Sequence, residues 1–465
     1  MTDHLATHFV PRHRPETRVT ARKLAARAVW GALPLNARQG GRASDEEECC
    51  ELVKQSSDAA PSPQAGSGRV SPTAQRALHL AVFLHSLAGA GAQRRALTLV
   101  NGFADRGHRV DLILVSAQGP LLGEVSAQVR VLELDSPPLR VLRRWHSKRR
   151  RQMFASAWPL AKYLRADRPD VLLSAASHAN LAALRARRIA GGETPVVLRA
   201  SNHLSRSSWN RLRWPRLLKW LGARRTYRQA DAIIAVSNGI ADDLVSHAGV
   251  PADRITTILN PTLTADVSHK AGLPIGHPWL APGGPPVILA AGRFVPQKDL
   301  PTLVRAFARV RTARPARLVI LGDGPRRPQI AALVRRLHLA DDVDLPGFVD
   351  NPFAWMSRAA VFVLSSAWEG LPGVLIEAMA CGCPVVSTDC PSGPAEILAG
   401  GAYGGLVPVG DAAALARAIL ATLDRPPDRV ALVARAGEFA SDRAIDRYLD
   451  VLAEVAARRP PSPTP

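Results

Sequence analysis

From Leu78 onward the chain alternates short apolar runs with longer segments whose apolar positions recur every three to four residues. Such an alternation of strand and helix periods is the signature of a parallel sheet wound with helices on both faces. The apolar runs predict strands at 78–84, 110–115, 129–133, 171–174, 196–200, 232–237 and 255–259, with a helix over 93–106 between the first two. Residues 77–265 therefore predict one doubly wound α/β lobe. The periodicity lapses over 266–286, which concentrates Pro, Gly and His and reads as an interdomain connection. A second series follows, with strands at 287–291, 317–321, 343–345, 361–365 and 384–387 and helices at 300–311 and 329–337, predicting a second lobe at 287–440. Residues 441–458 form a last amphipathic segment, expected to pack as a helix back across both lobes, and the Pro-rich end at 459–465 is expected to fray.

Residues 1–76 lack this patterning. They are rich in Pro, Ser, Gly and Gln around an acidic knot at 45–48, and are expected to be a disordered or dispensable extension. Arginines near the start precede no apolar core with a cleavage site, so no secretory signal is read there. The longest apolar stretch, 78–92, is interrupted by His79 and His85 and falls short of the roughly 18–20 residues of a membrane span.

Composition adds one strong feature, a formal net charge of +21 on 465 residues. A field of that sign attracts nucleic acids, anionic lipids or phosphorylated substrates without choosing among them. Five cysteines, Cys49, Cys50, Cys381, Cys383 and Cys390, match neither a disulfide framework nor a zinc knuckle, which suits a cytoplasmic protein. Cationic residues cluster around Trp145 at 140–151, and 206–228 interleaves Arg and Lys with Trp209, Trp214, Trp220 and Tyr227 without an acid. Those ingredients serve nucleic-acid binding, an anionic bilayer surface or a merely solvated basic face.

In open α/β sheets ligands bind outside the carboxyl ends of the strands, so the loops after strands carry the chemistry. After the strand at 287–291 come Gly292, Arg293 and Lys298, a close-approaching backbone flanked by fixed cations, suited to a diphosphate. Farther on, Glu369 and Glu377 stand eight positions apart, separated by Gly370, Leu371, Pro372, Gly373 and Val374 at the entry of a helix whose amides can meet an anion. Glu377, set among Leu371, Val374, Leu375, Ile376 and Met379, needs a hydrogen-bond partner if buried, and ribose hydroxyls would serve.

Gly292-Arg293 with Lys298, Gly322-Asp323-Gly324-Pro325, Gly347-Phe348-Val349, and Glu369 with Glu377 stand in the order and spacing of the family 4 glycosyltransferases, which the second lobe resembles. The first lobe is similar through Gly89 and Gly91 of a Gly-rich loop, with Gln93 where the family commonly carries an acid. The resemblance implies a GT-B fold, two Rossmann-like doubly wound domains facing a cleft. It further implies retaining transfer of a hexose or N-acetylhexosamine from a nucleotide-sugar, expected to be a UDP-sugar, to a glycan or lipid-linked acceptor in cell-surface polysaccharide or glycolipid assembly. The nucleotide-sugar is a co-substrate, no cofactor or metal is implied, and no Asp-x-Asp lies in either cleft-facing region.

Carried onto this chain, the resemblance implies that Arg293 and Lys298 neutralise the leaving diphosphate, Glu369 holds sugar hydroxyls and Glu377 the ribose. Phe348 and Val349 would bracket the base, while Gly89, Gly91, Gly292, Gly322, Gly324 and residues 370–374 would line the donor. His178 and His203, each just after a strand, are candidates to contact the sugar. Retention would proceed by same-face attack assisted by the leaving phosphate. With a transferase core, the basic aromatic stretches favour peripheral contact with the inner face of the cytoplasmic membrane over nucleic acid. An epimerase or phosphorylase on the same architecture would need an acid/base set or a lysine-bound pyridoxal site, and neither is identified.

Overall fold

The computed structural model describes residues 76–88, 91–134, 148–177, 179–205 and 224–458, with the backbone alone at 148–150. The expected extension and terminal tail thus lie outside the described residues apart from Arg76, as do Cys49, Cys50, Gly89, His178 and most of both basic stretches.

The first lobe is a seven-stranded parallel sheet in the order β3-β2-β1-β4-β5-β6-β7. Its strands are β1 (His79–Leu84), β2 (Arg109–Leu114), β3 (Arg130–Glu133), β4 (Val171–Ser174), β5 (Val196–Ala200), β6 (Ala232–Ala235) and β7 (Ile255–Thr257). Helices α1 (Gly91–Asp105), α2 (Lys148–Ala155), α3 (Ala157–Asp167), α4 (Asn180–Ala190) and α5 (Asn238–Ala248) accompany them. Central strands read as unbroken apolar runs because both their faces are covered. In β1 everything from Leu80 to Leu84 is buried, with Leu80 in register with Val110 of β2 and Val171 of β4.

The second sheet has six parallel strands in the order β10-β9-β8-β11-β12-β13. These are β8 (Val287–Ala291), β9 (Arg317–Leu321), β10 (Val343–Gly347), β11 (Val361–Leu364), β12 (Val385–Thr388) and β13 (Gly405–Val407). The segment 266–286, read as a connection, is more ordered than its composition suggests. It contains a short helix α6 (Val267–Gly272) and lies on the second lobe, where His277 meets the Trp355 ring and its Nε2 lies 3.0 Å from Asp344. Helices α7 (Leu300–Ala313), α8 (Arg327–Arg336), α9 (Pro352–Met356), α10 (Gly373–Ala380), α11 (Pro394–Ile397), α12 (Ala412–Asp424) and α13 (Arg429–Gly437) complete this lobe.

The chain then returns to the first lobe. Ser441 N–H and Oγ both donate to the Leu263 carbonyl, at 3.0 and 2.7 Å, so the two interlobe crossings run side by side. Helix α14 (Ser441–Ala457) buries Ile445, Tyr448, Leu449, Leu452 and Val455, one face at helical spacing, in the cluster that also holds Leu80, Val82 and Phe103. Gly102 makes this approach possible, since a Cβ there would lie 2.4 Å from Ile445 Cδ1. Arg199, fully buried in β5, donates to the Tyr448 hydroxyl at 3.1 Å, the Ala175 carbonyl at 3.0 Å and the Asn260 amide oxygen.

At the amino end of the first sheet, away from the cleft, the fully buried Asp111 carboxylate is surrounded by donors. Arg130 grips it with Nε at 2.9 Å and Nη2 at 2.5 Å, Tyr163 donates at 2.5 Å, and His79 Nε2 lies 2.8 Å away. Burial by itself pushes this carboxyl up, but bonding to His79, Arg130 and Tyr163 outweighs burial and holds it well below the usual carboxylate range.

Candidate active site

Each sheet reverses its strand order once, between β1 and β4 in the first lobe and between β8 and β11 in the second. The loops leaving neighbouring strands at a reversal diverge to opposite faces and leave a crevice. In the second lobe those loops bring together Lys298, six residues after Gly292, and Glu369. Lys298 Nζ lies 2.6 Å from Glu369 Oε1, which also accepts from Ser366 Oγ at 2.6 Å, while Gln297 Nε2 donates to Oε2 at 3.3 Å. The Glu369 side chain is only 8% exposed, so this full set of donors is what allows the carboxylate to be there. The Lys298 stem lies over Gly292, with Cε 3.1 Å from where a Cβ would stand. Arg293, by contrast, is exposed and makes no side-chain hydrogen bond or ion pair with another described residue.

Gly292, Gly322 and Gly347 come side by side at the carboxyl ends of β8, β9 and β10. Gly292 N–H donates to Leu321 O at 3.0 Å and Gly322 N–H to Gly347 O at 2.7 Å. Gly322 adopts φ +110°, and a Cβ there would stand 2.2 Å from the Gly292 carbonyl oxygen, so no other residue fits. Gly324, after β9, packs against the Phe294 backbone of the β8 loop. Beyond this floor Phe348 projects with 69% exposure and Val349 is half-buried against the core. An exposed aromatic ring beside a glycine-lined crevice offers a stacking face for a flat ligand.

Glu369 opens the loop that contacts the first lobe. Gly370, Leu371 and Pro372 are buried, and a Cβ on Gly370 would lie 2.3 Å from the Ser201 carbonyl oxygen across the interface. Helix α10 then starts at Gly373, with Val374 half-buried, and places Glu377 one turn in. Its carboxylate pairs with Arg95 of α1, whose Nη1 donates to the Thr262 carbonyl at 2.9 Å. Arg95 was not among the sequence candidates. The signal was present, since Arg95 occupies the helix face of Leu99 and Phe103, an apolar stripe where a charge needs a partner, whereas Arg94 points outward to Glu124.

His203 is buried at the lobe interface rather than open to a sugar. Its Nε2 lies 3.0 Å from the Pro391 carbonyl of the second lobe and its Nδ1 3.4 Å from Asp243 Oδ1. A carbonyl only accepts, so Nε2 carries the proton of that contact. Burial pushes the Asp243 carboxyl up, but bonding from His203, Ser205 and the Leu204 amide more than offsets it, and the group sits below its usual range. Nearby, Glu396 of the second lobe accepts from the Asn238 and Gly239 amides at the start of α5, at 3.0 and 3.3 Å, and Ser237 and Ser392 hydroxyls meet at 2.6 Å. Gly91 begins α1 with open space where a Cβ would go. Cys381 and Cys390 carry thiols that burial pushes up to about 12, and Cys383 is fully buried with its thiol raised further, so all three are packing residues.

Two lobes therefore meet over a crevice holding two ion-paired carboxylates and a row of close-approaching glycines, with the exposed Arg293 on the loop after β8. Residues 89–265 match the family model described as Glycosyltransferase Family 4, and residues 285–425 the one described as Glycosyl transferases group 1. An N-acetylgalactosamine-N,N'-diacetylbacillosaminyl-diphospho-undecaprenol 4-alpha-N-acetylgalactosaminyltransferase of Campylobacter jejuni is 30% identical over 336 residues, covering 71% of this chain and 86% of that protein. The chain belongs to glycosyltransferase family 4. A lipopolysaccharide core biosynthesis glycosyltransferase of Rhizobium meliloti, LpsE, is 34% identical over 232 residues, spanning 49% of this glycosyltransferase and 65% of its relative. The crystal structure of Anabaena HepE in complex with UDP-glucose superposes with a TM-score of 0.64 at 20% identity, over 81% of this chain and all of that one, and so shares its GT-B fold.

Proposed function

We propose that this glycosyltransferase moves a hexose or N-acetylhexosamine from a UDP-sugar to a glycan or lipid-linked acceptor in cell-surface polysaccharide or glycolipid assembly, with retention at the anomeric carbon. The observation that carries the reading is the meeting of Lys298 and Glu369 in the β8/β11 crevice, with the exposed Arg293 on the same loop as Lys298. In this assignment Arg293 and Lys298 meet the charge that develops on the departing diphosphate, the α10 amides add to them, and Phe348 stacks on the base. Glu369 orients sugar hydroxyls and Glu377 the ribose. The donor choice is supported by the UDP-glucose complex of HepE and the acceptor class by the diphospho-undecaprenol substrate named for the Campylobacter relative. A thermal-shift series with UDP, GDP and ADP tests the donor: UDP raises the melting temperature most, and a larger shift with GDP or ADP removes the uridine assignment.

Retention fits the state of the carboxylates. A glutamate already bonded to Lys298, Ser366 and Gln297 is a poor covalent nucleophile, which favours same-face attack assisted by the leaving phosphate. Two side-chain cations beside the leaving group take the role a divalent ion plays elsewhere, so transfer is expected to continue in excess EDTA at the rate seen with added magnesium. Loss of turnover in EDTA with recovery on magnesium or manganese contradicts this.

On the first lobe Phe154, Trp158, Lys162 and Arg165 form an exposed stripe at helical spacing across α2 and α3, Trp158 being 68% exposed and Phe154 50%. Arg185 stacks 4.6 Å over the Phe154 ring. No helix among the described residues is long and apolar enough to cross a membrane. The stripe supports peripheral docking on the anionic inner face of the cytoplasmic membrane, where a lipid-linked acceptor presents its head group. Sedimentation with phosphatidylglycerol vesicles is expected to exceed that with neutral vesicles and to fall when Trp158 becomes Ala or salt is raised. Equal binding to both vesicle types overturns the docking assignment.

A further inference from the structure

The pairing of Arg95 with Glu377 raises a problem for any donor that uses this carboxylate. Arg95 comes from α1 of the first lobe and Glu377 from α10 of the second, 282 positions along the chain. The arginine is nearly buried, and among the described residues its side chain bonds otherwise to the Thr262 carbonyl alone, so Glu377 supplies its counter-charge. Its guanidinium also rests against the first turn of α10, since a Cβ on Gly373 would lie 2.5 Å from Nη2. The start of a helix repels a cation and attracts an anion. Arg95 is thus a buried cation held at an anion-favouring place by a carboxylate that the donor's ribose would claim.

We propose that Arg95 is a donor-binding residue that exchanges partners when donor binds. It joins the lobes through Glu377 and, on donor binding, moves onto the diphosphate as the ribose hydroxyls take Glu377. The inference rests on the donor assignment above and adds to it a charge from the opposite lobe. It separates two ligands that share a ribose. A nucleoside has to break the Arg95–Glu377 pair and leaves a buried guanidinium without a counter-ion, whereas a nucleoside diphosphate supplies the replacement.

Titration calorimetry of the full chain with uridine and with UDP tests this. Arg95→Gln keeps a donor for Thr262 but removes the charge, so uridine binds several-fold more tightly while UDP binds about tenfold more weakly, one charge-assisted bond having been lost. The opposite signs are the diagnostic result, because a merely structural role weakens both ligands together. Arg95→Lys retains the charge and is expected to keep most of the preference for UDP over uridine. Parallel changes in both affinities, or none, in a folded Arg95→Gln protein overturn the exchange. If Arg95→Gln does not fold, loss of the UDP preference in Arg95→Lys comparable to loss of all diphosphate binding overturns it instead. Lys298→Ala in the same titration separates the levels: if it leaves UDP affinity at the wild-type value, the donor assignment falls and this inference with it. If it weakens UDP while Arg95→Gln leaves the UDP-to-uridine ratio unchanged, only the exchange is wrong.

Discussion

Lys298→Ala is expected to lower kcat for sugar transfer by about 10²- to 10³-fold, the range seen when one preorganised group facing developing charge is removed. The lysine stands where both requirements for such an effect are met. It is mostly sequestered from water, so its charge is poorly screened, and it is already positioned on Glu369 at 2.6 Å before any ligand arrives. Its removal leaves Glu369 with Ser366 and Gln297, enough to satisfy the carboxylate's oxygens but not its charge. The loss should therefore include some thermal stability but fall mainly on turnover of the folded protein, and Lys298→Arg should recover part of the rate. Initial-rate measurements of UDP release with acceptor present check this. Wild-type turnover in Lys298→Ala removes the lysine from the leaving-group site.

The largest expected effect on stability lies at the opposite end of the first sheet. Asp111→Ala should destabilise the protein by about 3–5 kcal/mol, the cost of breaking a buried ion pair from one side. Arg130 retains Asp167, but the buried Tyr163 hydroxyl and His79 lose the acceptor around which they are packed. The same carboxylate makes stability pH-dependent with a definite sign. Because its folded pKa lies below the unfolded value of roughly 4, its contribution is complete above that pH and is lost as pH falls toward the folded value. Chemical denaturation should show wild type and Asp111→Ala far apart at neutral pH and converging in acid. A gap that stays constant from neutral pH into acid shows that the carboxylate's ionisation carries none of the stability.

Most strand positions could be read directly from the chain. Strands β4, β5, β8 and β9 match their expected bounds residue for residue, because a strand covered on both faces reads as a nearly continuous apolar run, and helix α14 matches to within one residue through its helical apolar period. Less was legible where the pattern is short or diluted. Strand β13 has three residues, Gly405 to Val407, and Gly405 hides it within a turn-rich stretch. The segment 266–286 draws its order from His277, Trp279 and Asn351 contacts that no local periodicity encodes.

The candidate site divides the same way. Gly292, Arg293, Lys298, Glu369 and Glu377 could be nominated because one lobe carries them in two short segments, a loop and a loop with the first turns of α10, and the need for backbone to approach an anion closely leaves a local mark of glycines and cations. Their pairing was not. That Lys298 and Glu369 meet follows from β8 and β11 being neighbours in the sheet though 71 residues separate the two side chains. That Arg95 meets Glu377, and that His203 reaches the Pro391 carbonyl instead of an open cleft, follows from how the lobes close on each other. Periodicity and motif spacing record what a residue needs from its own element. The sequence by itself thus determined two doubly wound lobes and the family and nominated residues for the donor side, while the partners of those residues were decided by tertiary structure, since an ion pair between lobes depends on a distance that no local pattern stores.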